Sequence, residues 1–118
     1  MVITQSLATT PESLGLSRRI VDSLLETFSR YPKVERVIIY GSRARGDYRP
    51  GSDIDLAVIA PKMRFDEFSR LWNEIDELPI AFNIDLLHLD TLENQALKEA
   101  IDDSGKAIYE SSPAHKVP

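Results

Sequence analysis

Residues 36–60 read RVIIYGSRARGDYRPGSDIDLAVIA, and this stretch decides the fold. Arg36 to Tyr40 is a short β-branched and aromatic run, the composition of a buried strand. Ile54 to Ala60 is a second such run, closed by Pro61. Between them, Gly41 to Ser52 is rich in Gly, Arg and Pro and too irregular for a strand. Ten residues separate Ser42 from Asp53, enough for the chain to turn round and lay the second strand antiparallel beside the first. Asp53 and Asp55 stand two apart at the start of that second strand. Both carboxylates therefore point to one side of the sheet, leaving Ile54, Leu56 and Val58 for the core on the other.

Working outward, Ser17 reads as a helix N-cap, because Ile20, Val21, Leu24, Leu25 and Phe28 then repeat at helical spacing. Pro32 stops that helix. Residues 1–16 form a polar, weakly patterned arm in which Thr10-Pro11 opens a short helical turn. Downstream, Phe65, Phe68, Leu71, Trp72, Ile75 and Leu78 share one face of a second amphipathic helix that Pro79 ends. Phe82 to Leu89 is a third strand. Leu92 to Ile101 is a third helix, with Gly105 placed to cap it. Lys106 to Tyr109 adds a short edge strand, and residues 111–118 read as a tail. The expected domain spans 17–110. Its fold class is α+β (α/β), a small mixed sheet of three to four strands with helices packed on one face.

Composition bounds the function. The 118 residues suit one domain. Hydrophobic residues make up 42% and charged residues 28%, as in a folded globule. Fourteen Lys and Arg against nineteen Asp and Glu give a net charge of −5, which argues against a protein that coats nucleic acid. The absence of cysteine excludes disulfide scaffolds, thiol catalysis and Cys-type zinc sites. No apolar run reaches the roughly 18 residues of a membrane span. Met1 to Thr10 lacks a basic region followed by an apolar core, so a cytoplasmic setting is expected.

The chemistry gathers around the first loop. Gly41-Ser42, where the first strand ends, lets a phosphate approach the backbone and offers N–H groups and a hydroxyl to its oxygens. Asp53 and Asp55 repel each other unless a cation is near. Mg²⁺ suits them, being commonly held by one or two carboxylates plus substrate phosphates. Asp85 interrupts the apolar run Ile84, Leu86, Leu87, Leu89, where an unpaired carboxylate is costly to bury. If its strand lies beside that of Asp53, the three acids form a triad able to hold two cations roughly 3.5–4 Å apart.

Gly41-Ser42, the ten-residue gap, Asp53-x-Asp55 and the later Asp85 resemble the nucleotidyltransferase superfamily that includes DNA polymerase β. More narrowly, GSRARGDYRPGSDIDLAV resembles the minimal nucleotidyltransferases (MNT proteins), and the likeness runs from about Ser17 to Glu110. The resemblance implies a polymerase β palm-like fold and Mg²⁺-dependent transfer of a nucleoside monophosphate from an NTP to a hydroxyl, with release of pyrophosphate. Gly41 and Ser42 would grip the triphosphate of ATP, with Arg43 as a further nucleotide-binding residue. Asp53 and Asp55 would bind Mg²⁺, and Asp85 would bind the catalytic metal or take the acceptor's proton. The resemblance also implies a helical HEPN protein encoded nearby, a toxin that the MNT chain neutralises as antitoxin by adding AMP to a tyrosine. The alternative is a binding module that acts on such a partner by contact alone, with Leu14 and Leu16 as an apolar docking arm. Homo- or hetero-oligomers are both compatible with the sequence.

Other residues have plainer readings. His88, opposite Asp85, reads as a partly buried edge histidine. Trp72, Phe65 and Phe68 read as core. Arg45 reads as a structural partner of an active-site acid, while Tyr40 and Tyr48 are candidates for stacking on a base.

Overall fold

The computed structural model describes residues 10–111. Helix α1 (Arg18–Ser29) opens where expected: Ser17 is extended, and its side chain accepts a hydrogen bond from the N–H of Ile20. That bond satisfies one of the donors a helix start leaves free. Strand β1 (Arg36–Tyr40) coincides with the run read from the sequence. The short helix α2 (Ser42–Arg45) follows at once, and β2 (Ile54–Ile59) runs back antiparallel to β1. Helix α3 (Phe65–Asp76) then leads to β3 (Ile84–His88), which pairs parallel with β2. Helix α4 (Gln95–Ser104) and strand β4 (Lys106–Glu110) complete the order. The sheet is mixed and four-stranded, in the order β3-β2-β1-β4.

Strand alternation divides the side chains between two faces. On the first face, Val37, Ile39, Ile54, Leu56 and Val58 are fully buried under Val21, Leu24 and Phe28 of α1 and Leu71 and Ile75 of α3. A bulge in β4 turns the consecutive residues Ile108 and Tyr109 both toward this core. Helices α1 and α3 thus pack on one face as expected. Helix α4 departs from that expectation: Ile101 and Leu97 pack on the opposite face with Ile38, Tyr40, Ala57 and Leu87. Its start also falls later than the apolar pattern suggested. Asn94 accepts from the N–H of Leu97 and so sets the N-cap there, while Leu89–Thr91 forms a separate 3-10 turn. Gly105 closes α4, its N–H reaching the carbonyl of Ile101.

Two further expectations fail. Leu14 and Leu16 are 1% and 5% exposed and belong to the main core, so the folded unit begins by Pro11 and not at Ser17. Phe65 is 84% exposed and does not join the apolar stripe of α3. It is the first residue of that helix, and helical side chains lean toward the N-terminus, so this ring hangs beyond the packed surface. At the other end the N–H of Ser111 donates to Glu35. Residues 1–9 and 112–118, most of the arm and tail, lie outside the described residues. Among the described residues no helix is long and apolar enough to cross a membrane.

Candidate active site

The acids meet on the face of the sheet that carries α4, at the end where β2 and β3 begin. Tyr40 pairs with Asp55 across β1 and β2, and Asp55 pairs with Asp85 across β2 and β3. The three residues therefore form a row across adjacent strands, whose usual spacing is about 4.8 Å. Asp53, two residues before Asp55, stands exposed at the mouth of this row. The expected antiparallel return after Ser42 and the expected neighbourhood of the Asp85 strand are both present.

Electrostatics follow from this crowding. Burial, then the charges of Asp85 and Asp53, push the Asp55 carboxyl above its ordinary value; Arg45 works the other way. The Tyr40 phenol is pushed up to about 12, by burial first and then by Asp85 and Asp55. It remains a protonated donor across the physiological range. Sequence reading treated Tyr40 as a base-stacking candidate and missed this placement. The available signal was its alternation with Ile38 directly before Gly41.

Gly41 sits hard against the acids. Its φ of 76° with ψ of −155° is a conformation open to glycine alone. A Cβ there would lie 2.5 Å from Oδ2 of Asp55. The backbone of the turn thus approaches the carboxylate as closely as any side chain would forbid. Helix α2 begins at the next residue, so the N–H groups of Ser42 and Arg43 have no intrahelical acceptor. The return to β2 uses an Arg49-Pro50-Gly51-Ser52 turn, closed by the N–H of Ser52 on Arg49. Gly51 takes the positive φ (85°) that the third position of such a turn requires.

Comparison with known proteins decides the family. The polymerase β nucleotidyltransferase family matches residues 22–114. The chain belongs to that family.

No curated protein sequence matches this nucleotidyltransferase. Solved structures share its fold. A toxin–antitoxin crystal structure with AMP-PNP is 22% identical, with a TM-score of 0.62, covering 86% of this chain and 79% of that one. A double Asp-to-Glu variant of the MntA-HepT toxin–antitoxin pair is 20% identical, with a TM-score of 0.60 and coverage of 86% and 79%. A putative nucleotidyltransferase from Sulfolobus solfataricus is 25% identical, with a TM-score of 0.54 and coverage of 84% and 85%.

Not every residue expected at the site is directed into it. Arg43 is 2% exposed and points into the interior, where it makes four hydrogen bonds to backbone carbonyls. A guanidinium has five donors, so little is left for a triphosphate, and the expected role of Arg43 in gripping the nucleotide is corrected accordingly. Arg45 is exposed and pairs with Asp47 at 3.4 Å, while its charge favours ionised Asp55. His88 is structural. Its Nε2 lies 2.8 Å from the carbonyl of Ala60, and its ring stacks on Phe68 at 5.1 Å.

Among the described residues no three acids or histidines converge as a preformed cation cage. Mg²⁺ does not need one, since it takes one or two carboxylates and completes its shell with water and phosphate oxygens. The all-oxygen donor set and the mutual repulsion at Asp55 fit a hard divalent cation.

Proposed function

We propose that this nucleotidyltransferase transfers AMP from ATP to a hydroxyl of a helical partner protein, a HEPN-type toxin, and so acts as its antitoxin. The observation that carries the reading is the row Tyr40–Asp55–Asp85 lying against the Gly41-Ser42 turn. Two fold neighbours are toxin–antitoxin assemblies, one of them determined with AMP-PNP, which supports both the nucleotide and the kind of partner.

In this mechanism the Gly41-Ser42 turn holds the triphosphate through backbone N–H groups and the Ser42 hydroxyl. Asp53, Asp55 and Asp85 would hold Mg²⁺, which, when bound, offsets the charge gathering on the phosphates. The acceptor oxygen attacks the α-phosphorus in line with the bond to the β-phosphate oxygen. That bond breaks and pyrophosphate leaves. Asp85, exposed on β3 and on the face of the other acids, accepts the proton of the attacking hydroxyl. Tyr40, the cross-strand neighbour of Asp55, stays protonated.

One of the supports for the contact-only alternative was an apolar arm at Leu14 and Leu16, beside the small size and the missing acceptor domain. Both leucines are buried in the core, which removes that support. Mg²⁺ with ATP is expected to raise the melting temperature, by an amount set by ligand concentration over Kd, with neither alone giving the full rise. Equal responses from the wild type and from a variant with Asp53→Asn and Asp55→Asn would place the nucleotide elsewhere.

A further inference from the structure

We propose that Arg43 is a positioning residue: its guanidinium sets the spacing between the phosphate-binding turn and both acid-bearing strands. The N-terminal segment 11–16 thereby becomes part of the site's support. This rests on the transfer-site reading above and goes beyond it, because Arg43 acts without touching nucleotide.

Arg43 belongs to α2, one residue after Ser42. Its Nε and Nη2 donate to the carbonyl of Ser52 at 3.2 and 2.8 Å, directly before Asp53. Its Nη1 donates to the carbonyls of Leu14 and Gly15 at 3.0 and 3.1 Å. The guanidinium also lies 4.7 Å from the centre of the Phe82 ring, three residues before Asp85. The carbonyl of Asn83, next to Phe82, accepts from the N–H of Ile54 at 2.9 Å. One side chain thus touches the entry to β2, the entry to β3 and the N-terminal turn.

Among the described residues no carboxylate pairs with Arg43; carbonyl dipoles and the faces of Tyr48 and Phe82 surround it instead. Burying a charge this way is expensive, and an apolar side chain of similar volume holds loops together at lower cost. What the guanidinium adds is a rigid planar fork that fixes its acceptors relative to one another. The Ser52 carbonyl and the Phe82 ring lie at the points where a small shift would move Asp53 and Asp85 relative to Ser42.

The test uses Mn²⁺ alone as probe of the acids, on the full chain. Arg43→Lys keeps the charge and loses the fork; Arg43→Met keeps the bulk and loses both. Coulomb's law alone predicts tighter Mn²⁺ binding in Arg43→Met, because a nearby positive charge is gone. Positioning predicts the opposite sign: Mn²⁺ binding weakens about 10-fold in both variants, as when groups that orient metal ligands are lost. In transfer assays kcat falls about 10-fold while KM for ATP moves by less than about 3-fold. Unchanged or tighter Mn²⁺ binding overturns the proposal, and so does a raised KM with kcat intact, the mark of a direct phosphate contact. Should the Arg43 variants fail to fold, Phe82→Leu leaves all four hydrogen-bonding groups in place, keeps an apolar side chain against the core and removes the ring beside the guanidinium. It is expected to weaken Mn²⁺ binding in the same direction by a smaller factor, and unchanged binding there overturns the proposal. A wild type that binds Mn²⁺ no better than the variant with Asp53→Asn and Asp55→Asn overturns the transfer-site reading and this proposal together. A wild type that binds it normally, with Arg43→Lys its equal, overturns the role of Arg43 alone.

Discussion

Changing Asp53 and Asp55 together to asparagine is expected to lower nucleotide transfer by on the order of 10³-fold or more, as when a preorganised electrostatic stabiliser is lost. The chain should stay folded, and without metal it should be more stable than the wild type at neutral pH. The sign follows from Asp55. Burial and the charges of Asp85 and Asp53 raise its carboxyl above the ordinary value of 3.8, so ionising it costs the folded state more than the unfolded chain. The wild type therefore has the full stability of the neutral group below that value and loses it as pH rises through the higher folded value. Asparagine at 55 removes the loss.

Other acids act oppositely. Hydrogen bonds from Arg30 and Tyr31 lower the Glu74 carboxyl, and hydrogen bonds from the Arg64 backbone and Lys33 lower that of Glu67. Their contribution is present above the ordinary value and fades as pH falls. Both proteins share those groups, so the difference between the two melting curves across pH isolates the site. A double variant that is less stable than the wild type at neutral pH would contradict the crowding described for Asp55.

Leu14→Ala should lower the free energy of unfolding by about 2–5 kcal/mol, the range for a leucine removed from a packed core. Leu14 is 1% exposed and lies in the cluster that includes Phe28 and Leu24. Phe65→Ala removes a larger side chain that is 84% exposed, and should change stability by no more than about 0.5 kcal/mol. Urea unfolding reads both as midpoint shifts at constant slope. A Leu14→Ala variant as stable as the wild type would return residues 11–16 to the status of a loose arm.

These contrasts mark where the sequence is legible. Arg36–Tyr40, Ile54–Ile59 and the cap at Ser17 follow from local composition and spacing, and the structure keeps their places. The pairing of Asp55 with Asp85 was only conditional, because it depends on a parallel contact made across α3. The burial of Leu14 and Leu16 had no local signal. Two leucines beside a single 3-10 turn show no period, and their burial comes from the fold as a whole. Arg43 was illegible for the same reason: among its acceptors, Leu14 and Gly15 precede it by 29 and 28 residues. Which face α4 covers is likewise a matter of chain path, not of its own apolar stripe.

The proposed transfer is tested most directly with ATP labelled at either the α- or the γ-phosphate, incubated with this protein, Mg²⁺ and a candidate HEPN-type partner that forms a complex with it. The account predicts covalent label on the partner from the α-labelled nucleotide only, with the γ-label released as pyrophosphate. Label from the γ-position, or no label at all where the two proteins form a complex, would contradict it.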